Sequence, residues 1–289
     1  MRVLVTGATG QVGRALLKCA PAPGVEVMSL GRGDLDFTDV SAIVRTISDL
    51  QPAVVINAAA YTAVDLAESQ QGLAYAVNSV AVAALARACA ERRARLVHVS
   101  TDFVFDGALG RPYLPGDVPS PLSVYGASKL DGELHIAAQE HLDWRIVRTA
   151  WVYSAGGQNF MLTMLRLFQE HDVVRVVADQ IGTPTSAASL AQCLWRVALE
   201  EGEAGTLHFT DAGVASWYDF AVAIYEEARA IGVAGRCVDI VPIATAEYPT
   251  PARRPLYSVL EKRQTIERFG IHPVHWRVRL RETLQELQS

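Results

Sequence analysis

The sequence predicts an α/β fold: a doubly wound parallel sheet joined to a smaller, interleaved α/β unit. Three observations carry this. A glycine-rich turn, Gly7-Ala-Thr-Gly10-Gln-Val-Gly13, lies between a first apolar run, Arg2-Val3-Leu4-Val5, and a helix-like segment. Short β-branched runs then alternate with longer alanine- and leucine-rich segments through the first half, the pattern of βαβ units around a parallel sheet. Tyr125 and Lys129 stand four residues apart in one of those helical segments, which places them on one helix face.

The elements follow in order. Residues 3–5 read as the first strand and 12–19 as the helix after it. A strand at 25–30 precedes a helix at 41–50, for which Asp39 or Ser41 is the capping candidate. A strand at 54–57, a long helix at 73–92 and a strand at 95–100 come next. The helix at 124–140 carries the Tyr/Lys pair, and the strand at 144–148 closes the regular half. Beyond it, helices are expected at 159–169, 186–200 and 217–230, and strands at 173–177, 205–209 and 238–241. A proline-rich loop at 249–255 leads into a helical C-terminus. No flexible linker separates the halves. Residues 1–150 therefore form the expected dinucleotide-binding domain, with returning segments at about 172–203, and 151–289 mainly the second, interleaved domain.

Bulk properties narrow the partners. The net charge is −5 with no basic cluster, which argues against nucleic acid. No apolar run is expected to reach the ~18 residues of a membrane span. The first strand starts directly after Met1, leaving no room for a signal peptide. Cys19, Cys89, Cys193 and Cys237 are scattered without a Cys-x-x-Cys and read as reduced thiols of a cytoplasmic protein. His272 and His275 form the only close histidine pair, better suited to a surface turn than to a ligand set, so no metal is expected.

The glycine turn suits a pyrophosphate. Glycines allow close backbone approach, and the following helix offers free N–H groups and the positive end of its dipole. Its spacing is Gly-x-x-Gly-x-x-Gly rather than Gly-x-Gly-x-x-Gly. At the end of the second strand, where an acidic residue would bind the ribose hydroxyls of NAD, stands Arg32. A guanidinium suits a 2′-phosphate, which favours NADPH. A solvated surface arginine explains the residue nearly as well, and Asp34 or Asp36 could reach the ribose, so NADH stays open. Small residues follow the third strand in Asn57-Ala-Ala-Ala-Tyr61-Thr62 and let a cofactor approach the backbone. A phenol titrates near pH 10; an ammonium beside it lowers that value. Tyr125 and Lys129 thus form a candidate proton donor–acceptor pair for carbonyl/alcohol interconversion.

Together, Gly7–Gly13, residues 57–65, Ser100-Thr-Asp-Phe-Val-Phe-Asp-Gly107 and Tyr125–Lys129 resemble the extended short-chain dehydrogenase/reductases, and specifically the dTDP-4-dehydrorhamnose reductase family. The resemblance continues through Gly157-Gln-Asn-Phe160, residues 179–185, 205–209 and 216–220, and Arg253-Arg-Pro-Leu-Tyr-Ser258. It implies a Rossmann-like fold and NADPH-dependent reduction of the 4-keto group of dTDP-4-dehydro-β-L-rhamnose, in a pathway feeding polysaccharide synthesis. It implies Thr101, Tyr125 and Lys129 as the catalytic set. Gly10, Gln11 and Val12 fall on the pyrophosphate loop, and Ala59, Ala60 and Tyr61 beside the nicotinamide. Gly7, Gly13, Arg32, Asp36, Phe37, Ala58, Asn78 and Ser100 complete the expected cofactor contacts, with Tyr125 and Lys129. Thr101, Asp102 and Phe103 fall where the family meets substrate, and Trp151 matches an aromatic of the sugar-nucleotide pocket, though it equally suits a core. Asn159, Gln180, Arg253 and Arg254 are the further nucleotide candidates.

Two departures bear on function. Some members carry a glutamate two positions after the third glycine to bind Mg2+ across a dimer; this chain has Ala15. A monomer or a metal-independent homodimer is therefore expected. Related dehydratases follow the catalytic threonine with Asp-Glu, whereas Asp102 here precedes Phe103, which disfavours water elimination. The alternatives are reduction of another dTDP-4-keto-6-deoxyhexose, or a non-catalytic NADP-binding role like that of the regulatory subunit of methionine adenosyltransferase.

Overall fold

The computed structural model describes residues 1–19, 24–234 and 237–288. Its centre is a six-stranded, all-parallel sheet made of β1 (Arg2–Thr6), β2 (Glu26–Leu30), β3 (Val54–Asn57), β4 (Arg95–Thr101), β5 (Trp144–Thr149) and a late strand, β7 (Gly205–His208). The strand order is β7-β5-β4-β3-β1-β2. The order reverses between β1 and β3, the switch point where open α/β sheets bind ligands at their carboxyl ends.

Alternation along each strand explains the layers. Leu4, Val55, Leu96 and Ile146 point to one face and share a core with helices α2 (Val40–Leu50), α3 (Gln71–Arg92) and α4 (Val124–Ala137). Val3, Val5, Ile56, Val97 and Val147 point to the other face. There they pack on Leu16 of α1 (Gln11–Lys18) and on Leu190 and Leu194, introduced by a later helix. A period of two thus buries both faces, and each fully buried aliphatic side chain contributes about 1.5–3 kcal/mol. Asp39 caps α2, its carboxylate accepting from the Ala42 N–H at 2.9 Å.

Helix α3 differs from expectation in two ways. Its middle, Ala76–Val80, winds as a π-helix. At 22 residues with a mean hydropathy of 1.5, it is also long and apolar enough to cross a membrane, contrary to the expectation of no such run. Here it packs against α2 and α4, with Leu85, Ala86 and Cys89 in the core.

The second unit has its own core. Helix α5 (Phe160–Glu170), strand β6 (Val173–Val177), helix α7 (Trp217–Ala230), strand β8 (Asp239–Ile243) and helix α9 (Trp276–Gln285) gather Met161, Phe168, Val174, Phe220, Ile224 and Leu280. A capping box starts α7: Ser216 Oγ accepts from the Asp219 N–H, and Asp219 accepts from the Ser216 N–H. The interleaving departs in detail from the expected return at 172–203. Strand β6 pairs with β8 in the second unit, not with the main sheet. The return instead comprises helix α6 (Ala187–Leu199), β7 against β5, and helix α8 (Arg263–Phe269) against β7.

Candidate active site

Two adjoining clefts run along the carboxyl ends of the strands. The first, about 530 Å3, is lined by Gly10, Gln11 and Val12 on one side and by Ser100, Thr101, Asp102, Phe103, Tyr125 and Lys129 on the other, with Trp151, Trp217 and Arg254 from later segments. The second, about 550 Å3, is lined by Gly7, Gly10, Arg32, Asp36, Phe37 and residues 58–61. Most of the expected cofactor residues are therefore divided between two adjoining spaces.

The glycine turn packs tightly against the backbone that follows β3. Gly7 has φ +70°, and a Cβ there would stand 2.6 Å from the Ala58 carbonyl carbon. No side chain caps the N-terminus of α1, and its first residues, Gln11 and Val12, line the first cleft. Arg32 is exposed at the end of β2. Below it, the Asp36 carboxylate accepts from both N–H and hydroxyl of Thr38 at 2.8 Å, bonds that hold it below the usual carboxylate range.

Two elements converge on the proposed reacting centre. Thr101 ends β4; its Oγ1 accepts from the Phe103 N–H at 3.2 Å and donates to Asp102 Oδ1 at 3.1 Å. Tyr125 and Lys129 come from the first turns of α4, which Ser123 caps through the Gly126 N–H. The Phe103 ring meets Tyr125 edge-on at 5.7 Å. Burial pushes the Tyr125 phenol up to about 12, which hydrogen bonding with Thr101 only partly offsets and the charge of Asp102 reinforces. The expected lowering by Lys129 is not found, because burial dominates. Lys129 is 1% exposed; its Nζ donates to the Val99 carbonyl at 2.8 Å and lies 3.0 Å from His98 Nε2. Burial holds it down at about 8, against the raising effect of Glu133. Burial also lifts Asp102 to about 6, against the hydroxyls of Ser258 and Thr101. The hydroxyls of Ser100 and Thr149, two residues that line this cleft, are buried with no partner.

Several expected residues stand elsewhere. Gly13 lines neither cleft; a Cβ there would meet the Gly7 carbonyl oxygen at 2.2 Å, so its place is beneath the turn. Asn78 supports from behind: its Oδ1 accepts from the Tyr61 N–H at 2.8 Å, and its Nδ2 donates to the Tyr61 carbonyl and to Ser128 Oγ, each at 3.0 Å. Asn159 caps α5 and donates to Gln11 Oε1 at 2.9 Å, tying the second unit to the glycine turn. Gln180 and Arg253 line a separate cavity of about 490 Å3, which Arg254 shares. Arg254 pairs with Asp65 at 2.7 Å. Thr149 and Trp217 escaped sequence reading. Trp217 stacks on Trp151 at 3.5 Å and donates to Gln180 Oε1 at 3.2 Å, although its position after Ser216 marks only a helix start. Among the described residues no group of three or more His, Cys, Asp or Glu side chains could hold a metal ion.

A Rossmann-like sheet with a glycine turn, and a Thr/Tyr/Lys group facing it across one cleft, define an extended short-chain dehydrogenase/reductase. Comparison narrows this. The family described as RmlD substrate binding domain matches residues 1–289. A dTDP-4-dehydrorhamnose reductase of Burkholderia thailandensis is 44% identical over 299 residues, covering 100% of both chains. The crystal structure of a dTDP-4-dehydrorhamnose reductase from Clostridium acetobutylicum superposes with a TM-score of 0.93 at 42% identity, covering 100% of both chains. That of the Bacillus anthracis reductase, solved in complex with NADP, gives 0.90 at 34% identity over 99% of each. The chain belongs to the dTDP-4-dehydrorhamnose reductase family and is an oxidoreductase.

Proposed function

We propose that this protein reduces the 4-keto group of dTDP-4-dehydro-β-L-rhamnose to give dTDP-L-rhamnose, using NADPH. The observation that carries this reading is the meeting of Thr101, Tyr125 and Lys129, from the end of one strand and one helix face, in the cleft that the glycine turn opens onto. The residues present fit the cofactor. The Gly7 turn, the uncapped start of α1 and the exposed Arg32 suit its phosphates. Bound NADPH would supply the hydride to sugar C4.

The chain supplies the rest. Tyr125 stays protonated at neutral pH and donates to the alkoxide oxygen as charge develops. Thr101 hydrogen-bonds the same oxygen. Lys129 holds a nicotinamide ribose hydroxyl and steadies the phenolate that Tyr125 becomes. Trp151, Trp217 and Arg254 face the sugar nucleotide and fix its orientation, which lowers the entropic part of the barrier. Phe103 occupies the position where a dehydratase places its second carboxylate, so the carbonyl is reduced and not primed for elimination.

The test is direct. Purified protein is mixed with NADPH and dTDP-4-dehydro-β-L-rhamnose, loss of cofactor absorbance is followed, and the product sugar is identified. dTDP-L-rhamnose is expected. A different 6-deoxyhexose would reassign the substrate, and cofactor binding without turnover would make the protein a binding subunit.

A further inference from the structure

Trp151, Trp217 and Phe160 give the first cleft an aromatic wall. The two indoles stack with centroids 3.5 Å apart and planes 6° from parallel, and the Phe160 ring leans on Trp217 at 4.6 Å. Trp151 stands two residues beyond the end of β5 with φ +49°, a left-handed conformation rare for a bulky L-residue. Such a conformation persists only where the surroundings hold it. Part of that hold is the Trp151 carbonyl, which accepts from the Thr185 N–H at 3.2 Å.

The rest comes from a short ladder. Ile181–Gly182 pairs antiparallel with Ala215–Ser216, the two residues before Trp217. The Ile181 N–H donates to the Leu256 carbonyl, and the Ile181 carbonyl accepts from the Ser258 N–H, each at 2.8 Å. The backbone at 181–182 is therefore fixed from two sides. A Cβ on Gly182 would stand 2.6 Å from Trp151 Cε2 and 2.8 Å from Cζ2 and Nε1, well inside the ~3.5–4.0 Å of an ordinary contact. The φ of Gly182 is not positive, so the backbone there does not call for glycine; the indole does. Trp217 is anchored as well. Its Nε1–H donates to Gln180 Oε1 at 3.2 Å. The Thr245 hydroxyl donates to Asp179 Oδ1 at 2.6 Å and accepts from Gln180 Nε2 at 3.1 Å, which turns the Gln180 carbonyl oxygen toward the indole.

We propose that Gly182 is a positioning residue for the sugar: by lacking a side chain it gives the Trp151 indole its place against Trp217, and so sets how a hexose ring carried on a nucleoside diphosphate stands beside Tyr125. This rests on the reading of the first cleft as the sugar-nucleotide site. Gly182 itself does not line that cleft and acts through Trp151. The apolar C–H face of a pyranose packs on an indole face, which is broad and rigid. With the 181–182 backbone paired and the Trp217 ring anchored, a methyl group at 182 is relieved by a shift of the Trp151 ring, and that ring borders the space where the sugar lies.

The chain has five tryptophans, Trp144, Trp151, Trp195, Trp217 and Trp276, so 5-fluorotryptophan labelling gives five 19F NMR signals. Trp151→Phe and Trp217→Phe assign two of them. Gly182→Ala should move the Trp151 and Trp217 signals and leave those of Trp144 and Trp195 in place; an unmoved Trp151 signal would overturn the proposal. Calorimetry then compares three ligands. Gly182→Ala should weaken dTDP-L-rhamnose by about tenfold or more, the scale of an overpacked contact, while dTDP and NADPH bind as to wild type. Equal losses for all three would make the effect a general defect and overturn the positioning role. In a Trp151→Phe background the indole that meets the new methyl is gone, so Gly182→Ala should there cost less than about twofold. A loss as large as in the parent would overturn the wedge. If Gly182→Ala alone does not fold, Gly182→Ala/Trp151→Phe should fold and bind dTDP-L-rhamnose as Trp151→Phe does; a double variant that also fails would sink the idea. These readouts are independent of turnover. The expected pattern in a protein inactive on the dTDP keto sugar would leave the wall standing and remove the reductase reading alone. A wild type that binds dTDP-L-rhamnose no more tightly than dTDP has no sugar contact at the wall, and the proposal falls.

Discussion

Arg148→Met tests the packing that carries the site. Arg148 and Glu133 have side chains only 5% exposed and meet at 2.6 Å between the middle of the sheet and the back of α4. The Arg148 guanidinium also lies over the Phe105 ring at 5.1 Å. Methionine keeps the apolar stem and removes the charge, stranding the Glu133 carboxylate. Removing one partner of such a buried pair costs about 3–5 kcal/mol, because the remaining charge loses its compensation. That is a large part of the 5–15 kcal/mol that keeps most domains folded. At about 2–4 °C per kcal/mol for a chain approaching this size, Tm should fall by roughly 6–20 °C. Urea unfolding should show a lower midpoint at unchanged slope. The double variant Arg148→Met/Glu133→Leu, with neither charge, should recover most of the loss. A single variant that loses less than about 1 kcal/mol, or a double variant no better than the single, would refute this account of how α4 is held.

Tyr125→Phe should lower kcat by about 10²–10⁴-fold while NADPH affinity, measured by fluorescence titration, stays near wild type; retained turnover would pass the proton-donor role to another residue. Arg32→Ala should weaken NADPH about ten- to a hundredfold, the worth of a charged hydrogen bond, and NADH much less; equal losses would remove the 2′-phosphate contact. For Asp102, burial raises the folded-state pKa to about 6, above the ~3.9 of a free aspartate. The group's stabilising contribution is therefore full below the lower value and lost as pH rises through the higher one. Asp102→Asn should accordingly be more stable than the parent at pH 8, with the gap in urea midpoints closing by pH 4; a gap independent of pH would show that Asp102 does not titrate in this window. EDTA should change neither activity nor light-scattering mass, because Ala15 offers no ligand; a dimer that dissociates on chelation and reforms with Mg2+ would show other carboxylates binding metal.

Most of the sheet was legible because its signals are local. Val54–Asn57 and Val173–Val177 are short β-branched runs, and Asp39 is a cap whose chemistry acts within three residues. Pairing partners were not legible. Residues 173–177 alternate buried and exposed positions, with Arg175 on the open face, unlike the main-sheet strands that are buried on both faces; the alternation hints at a one-sided sheet but does not name β8 as the partner. The π-turn in α3 left no mark, because alanine and valine suit either winding. At the site, Tyr125 and Lys129 announce themselves by spacing, whereas Trp217, Thr149 and His98 reach the centre only through tertiary packing. The environment of Lys129 was the least accessible feature. Helical spacing puts it beside Tyr125, but its rotamer carries it to His98 and Val99, on β4.

The path of the chain through the two units has a consequence for synthesis. Once residue 150 has left the ribosome, β5 is an unpaired sheet edge, because β7 is about fifty-five residues away. One sheet face also lacks Leu190, Leu194 and Phe269, which complete its apolar layer. The nascent glycine-turn half thus carries an open edge and a greasy face until most of the second unit has been made, an arrangement that invites association with other nascent chains. A fragment ending at residue 150 should be insoluble by itself, and the full chain should depend on holding chaperones more when translation is slowed between residues 150 and 208 than when it is slowed earlier.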